Sequence, residues 1–148
     1  MCFLISGYKI NYQQHIFYVH KIGGMNMGKF VIKSSDAGCR FNLVAGNGQV
    51  IGTSQIYKSV DACKNGIESV KTNASAAGIE DQTKEGFKKL VNPKFEVYKD
   101  KGGEFRFRLT AKNGQKILAS EGYTQLTGCM NGIESIKANA PNAEIVEK

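Results

Sequence analysis

Histidine is almost missing from this chain: His15 and His20 are the only two among 148 residues, and both lie in the first 26. The rest of the chain cannot supply a Ser-His-Asp triad, a Cys-His dyad or a histidine-based metal site. The four cysteines are too widely spaced for a CxxC redox or zinc pair. A Walker A motif and a GxGxxG motif after a strand are also absent. We therefore expect no catalytic residues, no cofactor, no metal and no enzymatic activity.

Long apolar runs are absent as well. No stretch approaches the ~20 apolar residues of a membrane span. The short run Cys2–Ile5 lacks the length of a signal-peptide core and the basic residues that would precede one. We therefore expect no membrane partner, a cytoplasmic location and reduced thiols.

Arginine is scarce in a basic chain. The sequence has 20 basic and 13 acidic side chains, a formal charge of +7, and only three of the basic residues are arginine. Arginine is favoured where phosphates or bases are recognised through paired hydrogen bonds. The lysine excess therefore indicates a solvated basic surface more than a specific phosphate-reading site.

Residues 1–26 differ in composition from everything that follows. They hold five aromatic residues, two lysines and no acid, and their pattern fits neither a helix nor a strand. An orderly strand pattern begins only after Met25 and Met27. We expect residues 1–26 to be a disordered N-terminal extension or a mis-assigned start. The alternative is an added hairpin or helix that covers the core or a partner.

The remaining chain is a tandem duplication. Arg40–Ala74 aligns with Arg106–Ala140 at an offset of 66, with identical residues at 19 of 35 positions. The densest shared block is Asn65–Ser69 against Asn131–Ser135. We assign the first repeat to residues 27–83, a lysine-rich linker to 84–93 and the second repeat to 94–148, within a single domain.

Each copy predicts the order β-β-β-α-β. Apolar residues alternate along the first strands, as Phe30 and Ile32 do, which is typical of half-buried strands. Asn47-Gly48 and Asn113-Gly114 indicate two-residue hairpin turns. Over Val60–Ala74 the apolar period changes to that of a helix. We predict an α+β fold, with both repeats forming one antiparallel sheet and two helices on one face.

These motifs resemble the YegP-like family, small bacterial proteins of unknown function built as tandem repeats or as single-repeat dimers. The resemblance rests on the Arg-Phe-x-Leu-x-Ala strand, the Asn-Gly-Gln turn and the Asn-Gly-Ile-Glu-Ser helix, and covers roughly Met27–Lys148. It implies that the C-terminal strands are swapped between repeats, so that Ile79–Gln82 joins the second unit and Glu144–Val146 the first. It supplies no catalytic residues, and residues 1–26 have no counterpart in it.

Several repeated residues are interpreted as structural. A cysteine in an apolar helix stripe usually packs as a small hydrophobic residue. A glycine inside a helix costs about 1 kcal/mol relative to alanine, so it indicates a close approach to a neighbouring element. These positions are Cys63 and Cys129 in the stripe, and Gly66 and Gly132 in the helices.

Repeated polar residues on the predicted helix surfaces form the first candidate site. On a helical wheel, Asn65 and Asn131 lie opposite the apolar stripe, and packing does not dictate their identity. We hypothesise a non-enzymatic protein-interaction or housekeeping module with an unknown protein partner. The alternative is that both repeats descend from one ancestor and these residues have not yet diverged. The helix patch consists of Asn65, Glu68, Ser69, Asn131, Glu134 and Ser135.

Outward strand positions form the second candidate site, which could hold single-stranded nucleic acid by phosphate contact and stacking. Glu96 and Glu104 dilute its positive charge, and one tyrosine is a poor stacking platform, so nucleic acid is the alternative partner. The chain could be a monomer, since a tandem repeat can complete its own sheet, or a homodimer. The strand face consists of Lys29, Lys33, Arg40, Lys94, Tyr98, Arg106 and Arg108.

Overall fold

A computed structural model describes residues 28–148, together with the backbone of two short N-terminal strands, β1 (Cys2–Ile5) and β2 (Tyr8–Asn11). These two strands pair antiparallel, with Cys2 opposite Asn11. The extension predicted for residues 1–26 otherwise lies outside the described residues.

The two repeats fold in the predicted order β-β-β-α-β. The first contains β3 (Lys29–Ser35), β4 (Gly38–Val44), β5 (Val50–Thr53), α1 (Val60–Ala76) and β6 (Gly78–Asp81). The second contains β7 (Lys94–Lys99), β8 (Phe105–Thr110), β9 (Lys116–Ala119), α2 (Leu126–Asn139) and β10 (Glu144–Glu147), with a 3₁₀ turn at Ala140–Asn142.

Hairpin turns join the second and third strands of each repeat where the Asn-Gly pairs predicted them, but each loop has three residues and not two. The Gly48 amide donates to the Ala45 carbonyl at 2.9 Å and the Ala45 amide donates to the Gln49 carbonyl at 2.8 Å, so the glycine follows a turn and forms a bulge. Gly48 and Gly114 have φ angles of 87° and 88°, in the left-handed region that glycine adopts without a steric penalty. The Asn47 side chain accepts a hydrogen bond from the Gln49 amide at 3.0 Å, and Asn113 accepts one in the equivalent way. The Asn-Gly pairs therefore set these turns locally.

Eight strands form one sheet in the order β10-β3-β4-β5-β9-β8-β7-β6. The last strand of each repeat pairs with the first strand of the other, which confirms the swap that the resemblance implied. Both swapped pairings are parallel, with Glu144 opposite Lys29 and Gly78 opposite Lys94. The sheet is therefore mixed and not wholly antiparallel, because the helix before each last strand returns the chain across the sheet.

Both helices pack on one face of this sheet around a shared core. Phe30 and Phe41 are completely buried with ring centroids 5.6 Å apart, and Phe95 and Phe107 repeat the arrangement at 5.9 Å. The predicted apolar stripes face these rings, and the buried positions along them are Cys63, Ile67, Val70, Ala74, Cys129, Ile133 and Ile136. The opposite face of the sheet carries no helix among the described elements and is called the open face below.

The two repeats meet at the middle of the sheet through the single register pair Thr53 and Ala119. The strand order is the same when read outward from this seam in either direction, so a pseudo-twofold axis passes through it. Each position in one repeat therefore has a counterpart on the other side of the axis.

Candidate interaction surfaces

The helical glycines lie where a tyrosine reaches the helix, which confirms the predicted close approach. A Cβ atom at Gly66 would collide with the Tyr57 hydroxyl, and one at Gly132 would lie 2.6 Å from the Tyr123 hydroxyl. The Tyr57 ring stacks on Phe41 at 6.2 Å. Burial raises the pKa of both tyrosines. These repeated residues are therefore required by packing.

The serines of the helix patch have a structural role that the sequence did not reveal. Asn73 donates to the carbonyl and hydroxyl oxygens of Ser69 at 2.7 and 3.1 Å, and Asn139 does the same with Ser135. Asn73 also accepts a hydrogen bond from the Lys112 amide at 3.1 Å, which ties α1 to the other repeat. Asparagine stands at this position in both repeats, as Asn73 and Asn139, and this repetition was the sequence signal that could have indicated the bonds.

The other four residues of the helix patch are exposed on α1 and α2. Within residues 28–148, the side chains of Asn65 and Glu68 and of their counterparts Asn131 and Glu134 make no hydrogen bond or ion pair. Asparagine inside a helix costs up to about 0.7 kcal/mol relative to alanine. Packing therefore explains neither residue of the pair, and helix propensity does not explain why the asparagine occurs twice.

The strand face places three of its basic residues beside carboxylates. Lys94 Nζ lies 2.9 Å from Glu80 Oε1, and Arg108 Nε lies 3.2 Å from Glu96 Oε1. Arg106 Nε lies 2.6 Å from Asp100 Oδ2. The Arg106 hydrogen bond lowers the pKa of Asp100. Much of the positive charge predicted for this half of the face is therefore neutralised by neighbouring acids.

Two of these ion pairs belong to a hydrogen-bonded polar network. Gln82 Nε2 donates to Glu80 at 2.7 Å and to Glu96 at 2.8 Å, and the Leu90 amide donates to Glu80 at 2.8 Å. Thr110 donates to Glu96 at 3.0 Å. The polar network consists of Glu80, Gln82, Lys94, Glu96, Arg108 and Thr110.

The polar network keeps both of its acids ionised. Only 2% of Glu80 is exposed. Burial opposes its ionisation, but the hydrogen bonds from Gln82, Lys94 and Leu90 outweigh burial and lower the pKa of Glu80 to about 2. The pKa of Glu96 is lowered in the same way, against burial, chiefly by its hydrogen bonds from Arg108 and Thr110.

The first-repeat half of the strand face is arranged differently. Lys33 and Arg40 lie directly opposite each other on β3 and β4, and both are exposed. Neither forms an ion pair within residues 28–148, and residues 1–27 contain no Asp or Glu. Lys29 lies 3.9 Å from Glu144, with both side chains largely exposed. This half therefore presents two adjacent positive charges without a neutralising acid.

The described cysteines are buried and free: Cys39, Cys63 and Cys129. Burial raises the pKa of Cys63 and of Cys129 to about 11, so both thiols stay protonated near neutral pH. Among residues 28–148, no three His, Cys, Asp or Glu side chains are grouped closely enough to hold a metal ion. None of the helices described is long and apolar enough to cross a membrane.

Fold and repeat pattern together define a class of small α+β protein in which two β-β-β-α-β units exchange their last strands. The chain belongs to the family described as "Domain of unknown function (DUF1508)", whose model matches residues 34–81 and 100–147. The two matches correspond to the two repeats, and the identification as a YegP-like chain is confirmed.

Relatives of one-repeat and two-repeat length match the chain. A UPF0339 protein of Methanosarcina acetivorans is 60% identical over 53 residues, 36% of this chain and 91% of that protein. The UPF0339 protein PA0329 of Pseudomonas aeruginosa is 34% identical over 116 residues, 78% of this chain and 92% of its own length.

A solved structure matches the fold. The solution NMR structure of the protein of unknown function yegP from E. coli superposes with a TM-score of 0.67 at 29% identity. The match covers 85% of this chain and 97% of that protein. The tandem α+β architecture is therefore shared, and neither this structure nor the relatives point to a specific activity.

Proposed function

We propose that the protein is a non-enzymatic interaction module of the cytoplasm that presents two equivalent docking sites to a protein partner. The sites are Asn65 with Glu68 on α1, and Asn131 with Glu134 on α2. The observation that carries the proposal is that both pairs are exposed and make no side-chain bond within residues 28–148, although the same residues stand at both positions.

Most other identities between the repeats have a structural reason. The glycines accommodate tyrosines, the Asn-Gly pairs form turns, and Ser69 and Asn73 bond to each other. Ser54 is buried, accepts from the Phe41 amide at 2.9 Å and donates to the Gln55 carbonyl, and Ser120 repeats both bonds. The exposed Asn-Glu pair is left without such a reason, which favours a role in contact with another molecule.

The chemistry of the two sites suits a basic partner surface. Each offers one carboxylate and one amide, which together accept and donate hydrogen bonds and attract lysine or arginine side chains. The pseudo-twofold axis relates the two sites, so a partner with two equivalent basic segments could occupy both. One chain carries both sites, so a monomer is sufficient for this mode of binding.

Photo-crosslinking tests this proposal. A photoreactive residue is placed at Asn65 or at Asn131 in the full chain, and at exposed Asp36 as a control outside the helices. We expect the same partner to be captured from both helix positions and not from residue 36. Capture should be lost when Glu68→Lys and Glu134→Lys are combined. Equal capture from residue 36, or capture unaffected by charge reversal, would contradict the proposal.

A second candidate function is binding of single-stranded nucleic acid, and the opposed pair of Lys33 and Arg40 favours it. Like charges directly opposite on neighbouring strands repel each other, and a phosphate between them would relieve that repulsion. Fluorescent single-stranded DNA and RNA are titrated with the chain at low and physiological salt. This function predicts an affinity that falls steeply with salt and is lost in Arg40→Glu. Salt-independent binding, or none at low salt, would exclude it.

A further inference from the structure

A groove on the open face shares Tyr98 and Arg108 with the strand face, but neither function proposed above rests on the groove itself. It lies at the seam between the repeats, where β5 and β9 meet, and has a volume of about 290 Å³. Thr53 and Gln55 line it from the first repeat, and Tyr98, Arg108 and Lys116 line it from the second. Its volume is at the lower end of the range for small-ligand sites.

The groove combines a positioned guanidinium with a lysine. Arg108 is held from two sides, because its Nε donates to Glu96 at 3.2 Å and its guanidinium lies 4.8 Å above the Tyr98 ring. An arginine has five N–H donors. Within residues 28–148, Nε is the one that makes a hydrogen bond, so the remaining donors are available. Lys116 makes no ion pair within the same residues.

The counterpart of the groove across the pseudo-twofold axis lacks this chemistry. Asn42 stands at the position equivalent to Arg108, and Val50 at the position equivalent to Lys116. Glu121 replaces Gln55, which would add a negative charge. Lys33 stands at the position equivalent to Tyr98, so the counterpart has a cation there in place of the aromatic ring. The pair formed by Arg108 and Lys116 is therefore specific to one side of the seam and does not follow from the shared fold.

We propose that this groove is a binding site for a small molecule bearing an oxyanion, a phosphate or a carboxylate group, held between Arg108 and Lys116. A planar guanidinium fixed by Glu96 and Tyr98 is preorganised to donate paired hydrogen bonds to such a group. Lys116 supplies the second charge, and Thr53 and Gln55 supply neutral polar contacts on the other wall.

The charges around the groove favour a compact ligand over a polymer. Asp100, Glu96 and Glu80 pair with the strand-face cations of the second repeat. These acids interrupt any continuous track of free positive charge along the strands. A nucleic-acid strand needs such a track for its successive phosphates. A small oxyanion needs only the N–H donors that Arg108 does not use for Glu96, together with the charge of Lys116.

The test is a titration of the ¹⁵N-labelled full chain, followed by NMR, with inorganic phosphate, citrate, adenosine monophosphate and a short single-stranded oligonucleotide. We expect saturable shifts at the Thr53, Gln55 and Ala119 amides in the millimolar range. Lys116→Gln should weaken binding at least about fivefold. Lys116 is exposed and makes no described bond, so this variant should fold. Lys88→Gln removes an exposed cation of the linker, outside the groove and both candidate surfaces, and should leave the affinity unchanged.

The arms of the titration separate the possible sources of the oxyanion. Saturation by phosphate and adenosine monophosphate alone would assign a phosphorylated ligand, and saturation by citrate would assign a carboxylate. Arg108→Lys keeps the charge but removes the guanidinium, and we expect it to weaken binding as well. Non-saturating shifts, equal losses in Lys116→Gln and Lys88→Gln, or tighter binding of the oligonucleotide than of adenosine monophosphate would overturn the proposal.

Discussion

The two halves of the open face occupy equivalent places in one sheet, yet they are built from opposite chemistry. In the second-repeat half, the side chains on the open face form the polar network, in which every acid is bonded to a base or an amide. In the first-repeat half, apolar or neutral side chains stand at the matching positions. The matched pairs are Val146 with Glu80, Val31 with Glu96, Asn42 with Arg108, and Val44 with Thr110.

This difference shows which face of the sheet the fold constrains. The side chains that meet the helices are nearly the same in both copies, because a close-packed core tolerates little change in volume. On the open face, the equivalent strand pairs hold two valines in one half and two bonded glutamates in the other. The duplicated chain has therefore become asymmetric on the face where packing against the helices imposes no choice.

The largest expected effect comes from breaking the polar network with its counterpart residue. Glu80→Val should lower the free energy of unfolding by about 3 kcal/mol, because Lys94, Gln82 and the Leu90 amide lose a buried acceptor. The reciprocal change Val146→Glu should lower it by less than about 1 kcal/mol, because Val146 is partly exposed at the sheet edge. Urea denaturation measures both. Equal losses would show that the two halves are energetically equivalent.

Copying four first-repeat residues together should cost less than the four changes made singly. We expect the variant Glu80→Val, Glu96→Val, Arg108→Asn and Thr110→Val to lose about 3 kcal/mol, close to Glu80→Val alone. Lys94, Gln82 and the Leu90 amide still lose Glu80, but Glu96, Arg108 and Thr110 are removed together with their partners. The comparison is the sum of the four single losses from the same denaturation series. A loss equal to that sum would mean that the residues do not act as a network.

Acid should weaken the fold through the polar network. The pKa of Glu80 falls from an ordinary value of 4.5 to about 2 on folding, so its contribution is complete above pH 4.5 and is lost as the pH drops toward 2. Thermal unfolding is followed across this pH range. The melting temperature should fall less steeply with decreasing pH for the double variant Glu80→Gln with Glu96→Gln than for the unchanged chain. Parallel slopes would refute this assignment, whereas a residual slope is expected from Asp100, whose pKa is also lowered.

Replacing each of the two helix asparagines by alanine should lower the free energy of unfolding by amounts that differ less from each other. Asn73→Ala removes the bonds to Ser69 and the bond from the Lys112 amide, and should cost about 1.5 kcal/mol. Asn139→Ala removes only the bonds to Ser135 among those described, and should cost about 1 kcal/mol or less. The difference is read from denaturant midpoints. A larger loss for Asn139→Ala would reverse the expected order.

The smallest effect is expected at the first-strand lysine of the first repeat. Lys29 forms only a 3.9 Å exposed pair with Glu144, so Lys29→Met should change stability by less than about 0.5 kcal/mol. The matched change Lys94→Met removes a 2.9 Å partner from buried Glu80 and should be clearly destabilising. Finding the same effect for both lysines would mean that burial of Glu80 does not strengthen its ion pair.

Much of the architecture was predictable from periodicity. The repeat, the positions of the hairpin turns and the helix stripes follow from local spacing, and the structure reproduces them within a few residues. The two-residue length predicted for the turns was wrong, because a glycine bulge adds a third residue to each loop. The strand swap entered through the family resemblance, because pairing between distant segments leaves no local pattern. The parallel direction of β6 and β10 was missed for the same reason.

The candidate surfaces were predicted less completely, because the deciding contacts come from segments far apart in sequence. Glu80 reaches Lys94 only because β6 crosses to the other repeat, and the linker then supplies the Leu90 amide. The alternation of residues placed Arg108 on the open face correctly. It could not show that Glu96 and Tyr98 hold the guanidinium in place.

The exchange of β6 and β10 makes the two repeats mutually dependent. Each repeat lacks one strand of its own sheet until the other is folded, so neither half has a complete set of strands alone. Unfolding should therefore proceed as one cooperative event. The linker holds both halves at a high effective concentration, so completion of the sheet is unimolecular and independent of dilution. A relative of one-repeat length would need a second molecule for the same exchange, and its stability would depend on protein concentration.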